Sequence, residues 1–104
     1  MKQWYYYIDR KGKVSRTSDP EKWLALKPIR SWHIVDVVDG SIVSTAFLGI
    51  DFSLGMSKQP ILFETMIIKG KRNKETHRYI TQKEAEKGHT AIVKELMTEW
   101  LNKK

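Results

Sequence analysis

Asp51 and Glu64 are the acids whose setting first invites chemistry. Each lies at or just beyond an apolar run, Leu48-Gly49-Ile50-Asp51 and Ile61-Leu62-Phe63-Glu64. Two carboxylates brought together can hold a divalent cation for phosphodiester cleavage. Nuclease sites of that kind ordinarily place a lysine two residues past the second acid, on the same strand face. Met66 stands there instead, and Lys69 has the opposite strand parity from Glu64. The ordinary alternative for Glu64 is a strand carboxylate satisfied by backbone N–H groups or by an arginine such as Arg78. His33, His77 and His89 lack the spacing of a joint ligand set and the chain has no cysteine, so neither a metal nor another cofactor is expected. Ser44, Thr45 and Thr65 supply hydroxyls without a nucleophile elbow, and Gly49, Gly55 and Gly70 form no phosphate cradle. No catalytic residues are assigned, and metal-dependent catalysis ranks third among the readings.

Binding is the stronger theme. The run Trp4-Tyr5-Tyr6-Tyr7 stands beside Lys2, Arg10, Lys11, Lys13 and Arg16, a combination that can stack bases and neutralise phosphates. A second basic stretch, Lys69, Lys71, Arg72, Lys74 and Arg78, can follow a phosphate backbone. Against both stands the plainer reading of aromatics packed on a core and basic loops in water. The segment 51–59 is harder to explain as a plain loop, because Phe52, Leu54 and Met56 are large and apolar. Either they fold under as a satellite of the core, or together with Asp51 they form a protein-binding surface.

The charge balance agrees with a binding role. The chain has 104 residues and a net charge of +7, carried as +5 on residues 1–30, −3 on 31–66 and +5 on 67–104. Positive ends favour polyanions and exclude an acidic mimic of DNA. No stretch approaches the length of a membrane span, so no membrane partner is expected and a cytoplasmic location is the simplest one.

These side chains must be positioned by one small α+β domain. Trp4–Ile8 and Lys13–Arg16, around Asp9-Arg10-Lys11-Gly12, read as a hairpin. Ser18-Asp19-Pro20-Glu21 opens a short helix that Pro28 should stop. Asp39-Gly40 is a two-residue turn that pairs Val38 with Ser41 and Trp32 with Phe47. Both faces of that second hairpin are largely apolar, so it is expected inside the sheet. Ile61–Ile68 reads as another internal strand and Arg78–Ile80 as a short returning one. Thr81-Gln82-Lys83-Glu84 is a capping box, opening a helix whose Ala85, Ile92, Val93, Leu96 and Trp100 recur at helical spacing. The expectation is an antiparallel sheet of about five strands, a short early helix, and a longer C-terminal helix packed on one face.

The strings Val43-Ser44-Thr45-Ala46-Phe47-Leu48-Gly49-Ile50-Asp51, Pro60, Leu62-Phe63-Glu64-Thr65-Met66, Arg78-Tyr79 and Gly88-His89 resemble those of a family of small uncharacterised phage and prophage proteins. Asp19 with Trp23 and Thr81 with Glu84-Ala85-Glu86 extend the likeness over most of the chain. Phe52 departs from the family pattern, which often has histidine after the aspartate. The resemblance implies a phage setting: an accessory factor in the host cytoplasm that binds a host or defence protein or nucleoprotein. Inhibitors of the anti-CRISPR kind are one form of such a factor, with an RNA-guided nuclease as target. Direct binding of DNA or RNA is the alternative, and oligomeric state stays open.

Overall fold

Asp39-Gly40 sets the register of the main sheet. Both residues take positive φ, 48° and 80°, the type I′ geometry that matches the twist of the strands it joins. The computed structural model describes residues 3–30 and 32–103. Its elements are β1 (Tyr5–Ile8), β2 (Val14–Thr17), α1 (Pro20–Arg30), β3 (His33–Val38), β4 (Ser41–Phe47), β5 (Phe63–Ile68), β6 (Thr76–Tyr79) and α2 (Gln82–Asn102).

Among the described residues the strands form two antiparallel sheets, not one of five strands: β1–β2 alone, and β3-β4-β5-β6 in chain order. The fold is α+β as expected, and the difference lies in how the first hairpin is attached. The Tyr6 N–H donates to Gly49 O at 2.8 Å and the Trp23 indole N–H to Tyr6 O at 2.6 Å. The aromatic hairpin is therefore moored by side chains and one backbone bond, not added as a further strand. Tyr6 and Ile8 pack on Phe47, Leu62, Phe63 and Ala85. Trp23 also presses on Gly49, where a Cβ would come within 2.9 Å of its ring.

Three further expectations are corrected. β3, expected inside the sheet, is an edge strand bonded to β4 alone. The apolar faces of the hairpin were a poor guide, because one of them is left open. Helix α1 continues past Pro28 to Arg30; that close to its end, proline removes a single backbone bond. β6 begins at Thr76 rather than Arg78.

Helix α2 crosses one face of the four-stranded sheet, and its capping box at Thr81 and Glu84 is complete. Ala85, His89, Ile92 and Leu96 are its buried side. Beneath them lie Val38, Val43 and Ile67 at one end of the sheet and Phe47 and Phe63 at the other. Gly88 is the closest approach: a Cβ there would run into the Tyr79 ring, so the helix accepts a poor helix former where it meets β6.

Candidate functional site

The segment 51–59 is an ordered loop built on one carboxylate. Asp51 Oδ1 accepts from the Ser53 N–H at 2.8 Å, the Ser53 hydroxyl at 2.7 Å and the Ile61 N–H at 2.9 Å. The Phe52 N–H donates to Ile61 O at 3.0 Å, which closes the base of the loop. Partial desolvation pushes the Asp51 carboxyl up, but hydrogen bonds from Ser53 and from the backbone of Ile61, Ser53 and Gly55 outweigh it and hold the group below the usual range. Asp51 thus serves as the loop's internal clamp.

The three apolar side chains on that clamp divide. Phe52 is half-buried, with the Arg78 guanidinium 5.1 Å from its ring centroid. Leu54 and Met56 are 88% and 90% exposed, and Leu54 holds a left-handed φ of 54°. Non-glycine residues adopt that region at a cost, so the turn presents the side chain at some expense in strain. Two large apolar groups standing in water on a braced loop have no role in the core.

The basic residues are brought together less well. Lys11 and Lys13 lie exposed at the β1–β2 turn, where their N–H groups donate to Asp9 Oδ1 at 2.9 Å each. Arg16 lies over the Trp4 ring, 4.0 Å from its centroid; Lys2 is outside the described residues. This hairpin packs at the Phe47–Phe63 end of the sheet, while residues 69–75 join β5 to β6 at the other end. Lys69, Lys71 and Lys74 are exposed there. Arg72 is instead bound to Glu75 at 2.5 Å and to Glu95 at 3.1 Å, and Arg78 to Glu64 at 3.1 Å. Two of the five cations in that stretch are therefore matched by acids, and the two basic groups make no continuous track.

Glu64 has the arginine partner that the plainer reading called for. Among the described residues no three His, Cys, Asp or Glu side chains are grouped to hold a metal ion.

A polar chain that the sequence reading missed runs through the middle of the core. Asp36 Oδ2 lies 2.7 Å from His89 Nε2, His89 Nδ1 lies 2.7 Å from Thr45 Oγ1, and Thr45 Oγ1 lies 2.5 Å from Thr65 Oγ1. With Asp36 as a carboxylate, His89 donates through Nε2 and accepts from the Thr45 hydroxyl, which accepts in turn from Thr65. Carboxylate, imidazole and hydroxyl stand in the order of an acyl-transfer relay. Thr45 and Thr65 are nevertheless wholly buried, so no substrate reaches the hydroxyl, and the chain is a satisfied core network. Its signal in the sequence is two polar residues at apolar positions: Asp36 shares parity with Ile34 and Val38, and His89 falls on the buried stripe of α2.

A shallow cleft of about 650 Å³ lies where the β3–β4 turn, Gly70 and the end of α2 meet, lined by Asp39, Ser41, Lys71, Arg72, Glu99 and Trp100 among others. Its charges are of both signs and Arg72 is already engaged, so it selects no ligand class. Among the described residues, no helix is long and apolar enough to cross a membrane. No family model, curated protein or solved structure matches the chain.

Proposed function

We propose that this protein is a non-catalytic binding module whose 51–59 loop captures a host or defence protein, or the protein wall of a nucleoprotein. The observation that carries the reading is the exposure of Leu54 and Met56, 88% and 90%, on a loop whose base Asp51 ties down. A braced loop loses little conformational freedom on binding, and two protruding apolar side chains are the raw material of a central anchor. In this proposal the likeness to small phage proteins supplies the setting, an accessory factor acting in a host cell. Inhibition of an RNA-guided nuclease is one such role. Direct nucleic-acid binding has less support, since Arg72 and Arg78 are matched by acids and the remaining cations lie at opposite ends of the sheet.

The test is an affinity capture from host lysate, with and without nuclease treatment, using the parent and the double variant Leu54→Ser, Met56→Ser. The expected result is one protein band kept by the parent after nuclease and lost by the variant, with both proteins melting at the same temperature. Undiminished capture by the variant overturns the loop's role. Loss of every partner on nuclease treatment of the parent moves the assignment to nucleic acid.

A further inference from the structure

Strand β3 is a sheet edge whose one charged residue, Asp36, is engaged by His89 of α2. Among the described elements it contacts β4 and α2 alone. In the antiparallel ladder, Trp32 O accepts from the Phe47 N–H at 3.0 Å and Val38 pairs with Ser41 beside the two-residue turn. The even-numbered residues of β3 therefore turn their backbone groups toward β4, and His33, Val35 and Val37 turn theirs outward. Three N–H and three C=O groups stand along one line as a template for another strand. Native edges are commonly blunted by lysine, proline or a bulge. β2 carries Arg16 and β6 carries Arg78, whereas His33–Val38 has no Lys, Arg or Pro and pairs with β4 residue for residue. Two of its three outward residues are also apolar: Val35 is 49% and Val37 65% exposed.

We infer that this edge pairs with the same edge of a second copy of the chain, antiparallel about a two-fold axis at Val35. The occupant follows from self-complementarity. An antiparallel pair of identical strands closes on itself, so the patch is used once on each copy and no edge is left to propagate. The charge distribution permits this approach: in a chain of net +7, no Lys or Arg lies between Arg30 and Lys58, so copies meeting at β3 keep their cations apart and oppose only Asp36 and Asp39 near the contact. Asp36 disfavours one register and the count of backbone bonds selects another. Centred on Asp36, the two carboxylates would oppose each other, a destabilising pair. Centred on Val35, Asp36 faces Ile34 of the second copy, His33 pairs with Val37 in both directions, and all three outward residues exchange both of their bonds. Helix α2 adds to the contact. Glu95 and Glu99 reach Arg72 on the β6 side, so Val93 and Met97 lie on the β3 flank, where Met97 is 44% exposed.

The register makes the test specific, because the chain has no cysteine of its own. Across the axis, Val35 faces its own copy with Cα atoms about 5.5 Å apart, within disulfide reach. Val37 lies roughly 13 Å from its copy, four residues along the strand. In the full chain under mild oxidation, Val35→Cys is expected to yield a covalent dimer at least tenfold faster than Val37→Cys. Equal rates for the two variants, or no cross-link from either, overturn the inference. In sedimentation velocity the parent is expected to shift from monomer to dimer with rising concentration. Val35→Lys, with its side chain on the open face, is expected to stay monomeric, with an unchanged melting temperature at dilutions where the parent is also monomeric. A parent that remains monomeric into the hundreds of micromolar, or a Val35→Lys variant that dimerises like it, also overturns the inference.

Discussion

The two faces of the four-stranded sheet differ less in apolar content than in what covers them. The face under α2 has two threonines and a histidine at its centre, wholly or almost wholly buried. The opposite face carries Val35, Val37, Ile42, Met66 and Ile68, and four of these are more than a third exposed. Apolar content alone does not separate the two. What separates them is whether a helix with a matching stripe lies above, and whether each polar group beneath it finds a partner. The contrast teaches that the covered face pairs apolar packing under α2 with a closed polar chain of Asp36, His89, Thr45 and Thr65. The open face keeps its apolar residues without a partner in the same chain.

The largest effect should come from cutting into the covered face and comparing it with the open one. Phe63 is fully buried and Val37 is 65% exposed. Phe63→Ala is expected to lower unfolding stability by about 3–5 kcal/mol, and Val37→Ala by less than about 0.5 kcal/mol, as read by chemical denaturation at neutral pH. A cost at Val37 approaching that at Phe63 would mean that the open face is covered in solution.

A smaller effect sharpens the role of the buried chain. His89→Ala leaves the Thr45 hydroxyl and the Asp36 carboxylate without their imidazole partner and is expected to cost about 2–3 kcal/mol. The double change Thr45→Val with His89→Leu removes both members of one hydrogen bond. Its cost should fall clearly below the sum of the two single changes. Strict additivity would show that the bond contributes nothing beyond packing.

The smallest effect is one of pH, at the edge of the covered face. Hydrogen bonds from Arg72 and then from His77 hold the Glu75 carboxyl at about 2, against an ordinary value of 4.5. A folded-state value below the unfolded one stabilises the protein above pH 4.5, and that contribution is lost as pH falls toward about 2. The stability gap between the parent and Glu75→Gln is expected to be steady from neutrality down to the upper end of that window and to close within it. A gap that persists at the acid end would assign the effect to shape instead of charge.

Local chemistry was legible in the sequence. The turn at Asp39-Gly40, the helix start at Ser18-Asp19-Pro20-Glu21, the capping box at Thr81 and Glu84 and the buried stripe of α2 each follow from a few neighbouring residues. What escaped depends on residues far apart in the chain. Nothing near Tyr6 announces that its hairpin would be moored at Gly49 instead of joining the sheet, and nothing near Val35 tells an edge from an interior strand. The relation between Asp36 and His89 spans 53 positions, beyond any spacing rule. In the 51–59 loop the sequence posed the right alternatives. It could not show that Asp51 clamps the base, or that Phe52 folds back while Leu54 and Met56 stand out.

The strand order has a consequence for how the molecule assembles. β3, β4, β5 and β6 pair strictly with their neighbours in sequence, so no pairing needs a crossover, and only the β4–β5 connection, residues 48–62, is long. Such a meander forms from local contacts and is fast to assemble. The docking of α2 is different, because it must bring His89 back to Asp36 across the whole sheet. During synthesis the hydroxyls of Thr45 and Thr65 emerge long before the imidazole that satisfies them. Until the helix arrives, those hydroxyls must be served by water, and the docking of α2 replaces that water with one imidazole.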